Sequence, residues 1–90
     1  MYKNMMQVIH SIIKDAGLVT VSVRVLQMYE HAIDIRLADD AVARIGNDFM
    51  SAENLESALW GLHLNGYLIE IEKGLYKPSK FFDNAENLYK

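Results

Sequence analysis

Hydrophobic and polar positions along this 90-residue chain change period several times, and each change marks an element. Between about Lys3 and Ala16, Met5/Met6, Ile9, Ile12/Ile13 and Ala16 recur at helical spacing and Gly17 closes the run. That spacing predicts a helix with one core-facing stripe, whose methionines fill gaps. From Leu18 the pattern is mixed. Val19, Val21, Val23 and Val25 alternate with Thr20, Ser22 and Arg24 as a strand would, while Ser22 is placed to cap a helix running through Leu26, Met28/Tyr29 and Ala32/Ile33. A short strand near 18–21 and then a helix to about Ala32 accommodates both signals. Ala38 to Gly46 reads as a short helix, with Asp39 and Asp40 at its start and Ala41, Val42 and Ile45 turned inward; Asn47 to Met50 is then a turn.

The rest of the chain is organised around Ser51 to Ser79. Ser51 suits an N-cap, Met50 and Leu55 stand where a hydrophobic staple lies, and Glu53 suits the positive end of the helix dipole. Leu55, Ala58, Leu59 and Leu62 form an apolar stripe, and Gly66 follows where a left-handed C-cap is wanted. On the same wheel the outward face is Glu53, Glu56, Ser57, Trp60 and Leu64. Gly61 lies alongside and leaves room for another backbone. Tyr67 to Glu72 has strand composition, Lys73-Gly74 signals a tight turn, and Leu75-Tyr76-Lys77 returns antiparallel before Pro78. Phe81 and Phe82 are too apolar for a free tail. Asp83 or Asn84 is placed to cap a last helical turn containing Leu88, packed either on the core or on a second copy.

Composition narrows the function classes. Hydrophobic residues make up 51% and charged residues 23%, which is globular, and with no cysteine there is neither a disulfide framework nor thiolate chemistry. Polar interruptions at Gln7, His10 and Ser11 make the start a poor signal peptide, and no apolar run reaches transmembrane length. The expected setting is a soluble cytoplasmic protein. His10, His31 and His63 fall on three separate predicted helices without metal-ligand spacing and read as surface or boundary residues. No phosphate loop, nucleophile elbow or metalloprotease motif occurs. Adjacent Asp39 and Asp40 point apart on a helix. An enzyme, a cofactor, a metal and a small-molecule substrate are therefore not expected.

The stretch LADDAVARIGNDFMSAENLESALWGLHLNGYLIEIEKGLYKPS resembles the winged helix-turn-helix superfamily: helix, turn, Ser-capped helix ending in Leu-x-x-Asn-Gly, strand, basic-Gly turn, Tyr. Gly66-Tyr67-Leu68 followed by Lys73-Gly74-Leu75-Tyr76 is similar to the N-terminal winged helix of AbiEi-type antitoxins and their transcription-regulator relatives. The resemblance covers about half the chain. It implies an α+β, mostly helical fold: an N-terminal helix, a three-helix core and a C-terminal β-hairpin wing. Residues 1–90 would form one domain, with its core at about 18–79 and an extension at 80–90. In DNA-binding members the capped helix enters the major groove and the hairpin contacts phosphates. Here that implies a regulator, expected as a homodimer, touching DNA through Lys73, Gly74, Tyr76, Lys77 and Lys80, with Arg44 and Arg36 in support.

Charge argues for another partner. Net charge is −3, and no lysine or arginine lies between Arg44 and Lys73, although affinity for DNA comes largely from cations on phosphates. Two carboxylates lead the helix that would enter the groove. The alternative expectation is a protein-docking module, whether an assembly subunit or a small anti-defence inhibitor from a phage or other mobile element. Its Glu53, Glu56, Ser57, Trp60 and Leu64 face would meet a basic protein surface.

Overall fold

The computed structural model describes residues 4–37 and 51–90. Helix α1 spans Met5–Ala16. Asn4 begins it by accepting the Gln7 amide, and Gly17 ends it in a left-handed conformation, φ 62°. Gly17 donates to Lys14 O and Leu18 to Ile13 O, so two of the helix's last carbonyls are satisfied by the chain leaving it.

The expected strand at 18–21 contracts to a single bridge. Leu18 has spent its amide on α1, and Ser22 already caps the next helix by accepting from Val25. Only Val21 remains to pair, exchanging both hydrogen bonds with Tyr76 at 2.8 and 2.9 Å. The helix expected after it is broken in two: α2 at Val23–Gln27 and α3 at Glu30–Leu37. At the break, Met28 and Tyr29 donate to Val25 and Leu26, three residues back, which tightens the last turn.

The expected helix at 38–46, the turn at 47–50, the Met50 staple and Arg44 lie outside the described residues. From Ser51 onward the elements follow the pattern closely. The Ser51 hydroxyl accepts the Asn54 amide at 3.2 Å, and α4 runs Ala52–Leu64. Past Asn65, Gly66 takes φ 84° and donates to His63 O while Tyr67 donates to Leu62 O, closing the helix in a Schellman motif. Strand β1, Leu68–Glu72, then pairs antiparallel with β2, Leu75–Pro78. The register sets Ile69 opposite Lys77 and Glu70 opposite Tyr76, and slips at Ile71. Gly74 alone takes positive φ in the turn, and the irregularity at Ile71 absorbs the resulting mismatch. The described residues are thus an α+β arrangement: four helices, then a two-stranded hairpin, with Val21 on the far edge of β2.

One cluster of buried side chains joins these elements. Val8, Ile9, Ile12 and Ile13 of α1 meet Leu55, Leu59 and Leu62 of α4, with Val21, Leu26, Ile33, Leu68 and Tyr76 around them. The core therefore extends beyond 18–79 in both directions. Phe82 and Ala85 are buried in it and Leu88 packs against it, so the C-terminal segment folds back on its own chain. Its last turn is a 3₁₀ helix, Glu86–Tyr89, with Ala85 at the N-cap and no side-chain capping bond. Neither Asp83 nor Asn84 caps it. What holds the segment is α1.

Candidate functional site

Helix α4 divides cleanly. Leu55, Ala58, Leu59 and Leu62 are buried, while Glu53, Glu56, Ser57, Trp60 and Leu64 are exposed. Trp60 keeps 44% of its surface and Leu64 69%. No other part of the described chain covers that face. Its first turns, with Glu53, Asn54, Glu56, Ser57 and Trp60, line an open hollow of about 420 Å³. His63 props the tryptophan, with ring centres 5.0 Å apart, and donates from Nδ1 to the Leu68 carbonyl at 3.0 Å. The same imidazole lies 5.9 Å from the Tyr76 ring, so it ties the exposed face of α4 to the hairpin.

Gly61 serves this molecule's own packing. A Cβ there would stand 2.6 Å from Met6 Sδ, so the missing side chain admits α1 and not a partner's backbone.

The hairpin sorts its side chains less as expected. Lys73 and Lys77 are exposed, as is Lys80, whose ammonium sits 5.1 Å from the centre of the Phe81 ring. Gly74 is half-buried and donates its amide to Glu70 Oε2 at 3.4 Å. Tyr76, expected as a phosphate contact, is 2% exposed and faces inward. Burial pushes its phenol above the usual value, and the hydrogen-bonded Glu70 carboxylate and more distant Glu56 push the same way. The backbone explains the reversal. Val21 pairs with Tyr76, and alternation along β2 turns residue 76 to the core and Lys77 out.

Arg36 is also withdrawn from any nucleic-acid footprint. Its guanidinium donates to Asp15 at 2.7 Å, to Ser11 Oγ at 2.9 Å and to the Ala32 carbonyl at 3.1 Å, clamping α3 to α1. Arg44 lies outside the described residues.

Sequence reasoning misplaced His10 as well. His10 is no boundary residue but 3% exposed, stacked on Phe82 at 4.2 Å. Its Nε2 donates to the Phe82 carbonyl at 2.8 Å, its Nδ1 lies 2.8 Å from the Tyr89 hydroxyl, and that hydroxyl donates to the Gln7 carbonyl at 3.3 Å. Gln7 adds a bond from Nε2 to the Leu88 carbonyl at 2.8 Å. These polar residues of α1 dock the C-terminal segment. The hint in the chain was that Gln7, His10 and Ser11 interrupt the apolar run of the helix.

Among the described residues no group of three or more histidine or acidic side chains is placed to hold a metal ion, and no helix is long and apolar enough to cross a membrane. Compared with protein-family models, curated proteins and solved structures, the chain finds no match.

Proposed function

We propose that this chain is a winged helix used for protein docking, an assembly module or small mobile-element inhibitor, in which the outward face of α4 meets a basic protein surface. One observation carries this: α4 presents two carboxylates, a half-exposed tryptophan and a largely exposed leucine on one face that, among the described residues, is uncovered and carries no cation. Large apolar residues grouped with charge on a small domain's surface are the ordinary makings of an interface, and tryptophan dominates such contacts when desolvated. Carboxylates at the leading end of the helix would repel phosphates and attract lysine or arginine. The hairpin after α4 supports the winged-helix assignment by its position and its Gly74 turn. The proposal assigns a cytoplasmic protein without catalytic role, metal, cofactor, membrane or small-molecule substrate.

The test is retention of partners by immobilised protein. Wild type should hold one or more proteins that Glu53→Lys/Glu56→Lys/Trp60→Ala releases, while far-UV circular dichroism stays unchanged. Undiminished retention of every partner by the triple variant refutes the proposal.

A second reading is favoured by one observation, the exposure of Lys73, Lys77 and Lys80 on and after the hairpin. On that reading the chain is a DNA-binding regulator that contacts phosphates through its wing. Binding would then weaken steeply with salt and disappear in Lys73→Glu/Lys77→Glu. Failure to bind any duplex near 100 mM salt (roughly the usual assay condition) removes it.

A further inference from the structure

We propose that the basic surface taken by the α4 face is the hairpin of a second copy of this chain, each copy giving its helix to the other's hairpin across a two-fold axis. This rests on the docking reading and names its partner. Two faces that the described residues leave uncovered are complementary in both charge and greasiness. On α4 they are Glu53 and Glu56 with Trp60 and Leu64; on the hairpin they are Ile69 and Lys77 on its outer side, with Ile71 at the register slip and Lys73 in the turn also exposed, each isoleucine nearly half exposed. Ile69 and Lys77 face each other across the strands, so apolar surface and positive charge lie side by side. Exposed Glu72 offsets part of that charge, while half-buried Glu70 accepts the Gly74 amide.

One molecule cannot bring these faces together. The hairpin turns Leu68 and Tyr76 to the core, which by alternation aims Ile69 and Lys77 away from its own α4. Among the described residues the ion pair formed is Arg36–Asp15, and none joins Glu53 or Glu56 to Lys73 or Lys77. A second copy supplies what the first cannot reach. Because the two faces lie on the same chain, a two-fold dimer makes the contact twice, which is how a closed, self-limiting pair arises. The ion pairs set the register and the apolar residues supply the area removed from water.

Sedimentation of charge-reversed variants at about 100 mM salt decides the matter. Wild type should dimerise. Glu53→Lys/Glu56→Lys and Lys73→Glu/Lys77→Glu should each weaken dimerisation by about tenfold or more, since like charges then meet at both contacts. Mixing the two variants should restore dimers, because in the mixed pair both contacts again join opposite charges, and all four changes in one chain should restore them too. A monomeric wild type, an unweakened single-face variant, or a mixture that stays monomeric overturns the proposal. So does a Lys73→Glu/Lys77→Glu variant that keeps its dimer and loses duplex DNA. The docking reading is separated by titrating a synthetic amphipathic peptide of lysine, arginine and leucine against fluorescence of the single tryptophan, Trp60. A monomeric chain whose fluorescence responds, and stops responding in Glu53→Lys/Glu56→Lys, sinks self-association and leaves docking standing. No response in a monomeric chain sinks both.

Discussion

Replacing Gly61 by alanine sets two effects of similar size against each other. Gly61 lies inside α4, where alanine is favoured over glycine by about 1 kcal/mol because it gives up less backbone freedom on folding. Against this, the new methyl would stand 2.6 Å from Met6 Sδ, about 1 Å inside ordinary van der Waals contact (roughly 3.5–4.0 Å). The obstacle is the middle of a flexible side chain, not backbone. Met6 is half-buried and turns about three bonds, so moving it costs about 0.5–1.5 kcal/mol in off-rotamer strain or lost packing. The two nearly cancel. Gly61→Ala should change stability by no more than about 0.5 kcal/mol in either direction. In a Met6→Ala background the obstacle is gone, and the same change should stabilise by the full ~1 kcal/mol. The coupling, about 1 kcal/mol, is the signature of α1 meeting α4 at this point. Urea titrations followed by circular dichroism, on all four members of the cycle, measure it. If Gly61→Ala stabilises both backgrounds equally, Met6 does not lie against Gly61 and the packing of α1 on α4 described above is wrong. Gly61→Leu sharpens the contrast, since several extra heavy atoms must displace α1 itself at about 1–3 kcal/mol.

Three further outcomes follow from the same geometry. Ser51→Ala should cost about 1 kcal/mol through the lost Asn54 amide bond and Ser51→Asp should recover most of it; unchanged urea midpoints would show that the cap contributes nothing. His10→Ala should cost about 3–5 kcal/mol, as for a buried aromatic, and speed amide exchange across residues 82–89; unaltered exchange there would mean His10 does not hold the segment. The Tyr76 phenol is raised by burial first and Glu70 second, so the folded state holds its proton more tightly than the unfolded state does. Its stabilising contribution is complete below about pH 10 and is lost as pH climbs through the raised folded value. Tyr76→Phe should therefore flatten the alkaline loss of stability measured by urea midpoints, and an equally steep loss in the variant would place the cause elsewhere.

How far the chain could be read in advance depended on how far each interaction reaches along it. The Asn4-to-Gly17 and Ser51-to-Gly66 helices end where their caps stand, because a cap bonds an amide three residues away and needs nothing else. The Lys73-Gly74 turn and the inward leucines of α4 are equally local, set by one glycine and by helical period. The candidate face on α4 was legible for that reason: once the stripe is inward, Glu53, Glu56, Trp60 and Leu64 have only one side left. Segment 18–33 carried two local signals at once: Ser22 began a helix, and the strand survives only where Val21 pairs with Tyr76, far along the chain.

The remaining residues had no local signal to follow. Tyr76 turned inward through that same bridge, and Arg36 was captured by Asp15 from another helix. Gly61 made room for Met6, and His10 found Tyr89 from 79 positions away. Hydrogen-bond donors and acceptors are alike whether water or a distant segment satisfies them, so composition and period cannot tell a buried polar residue from an exposed one. The ends of α1 and α4, the turn and the two sides of α4 belong to the sequence by itself. The burial of His10 and Tyr76 and the engagement of Arg36 came only with the tertiary structure, because only packing brings distant segments near enough to replace water.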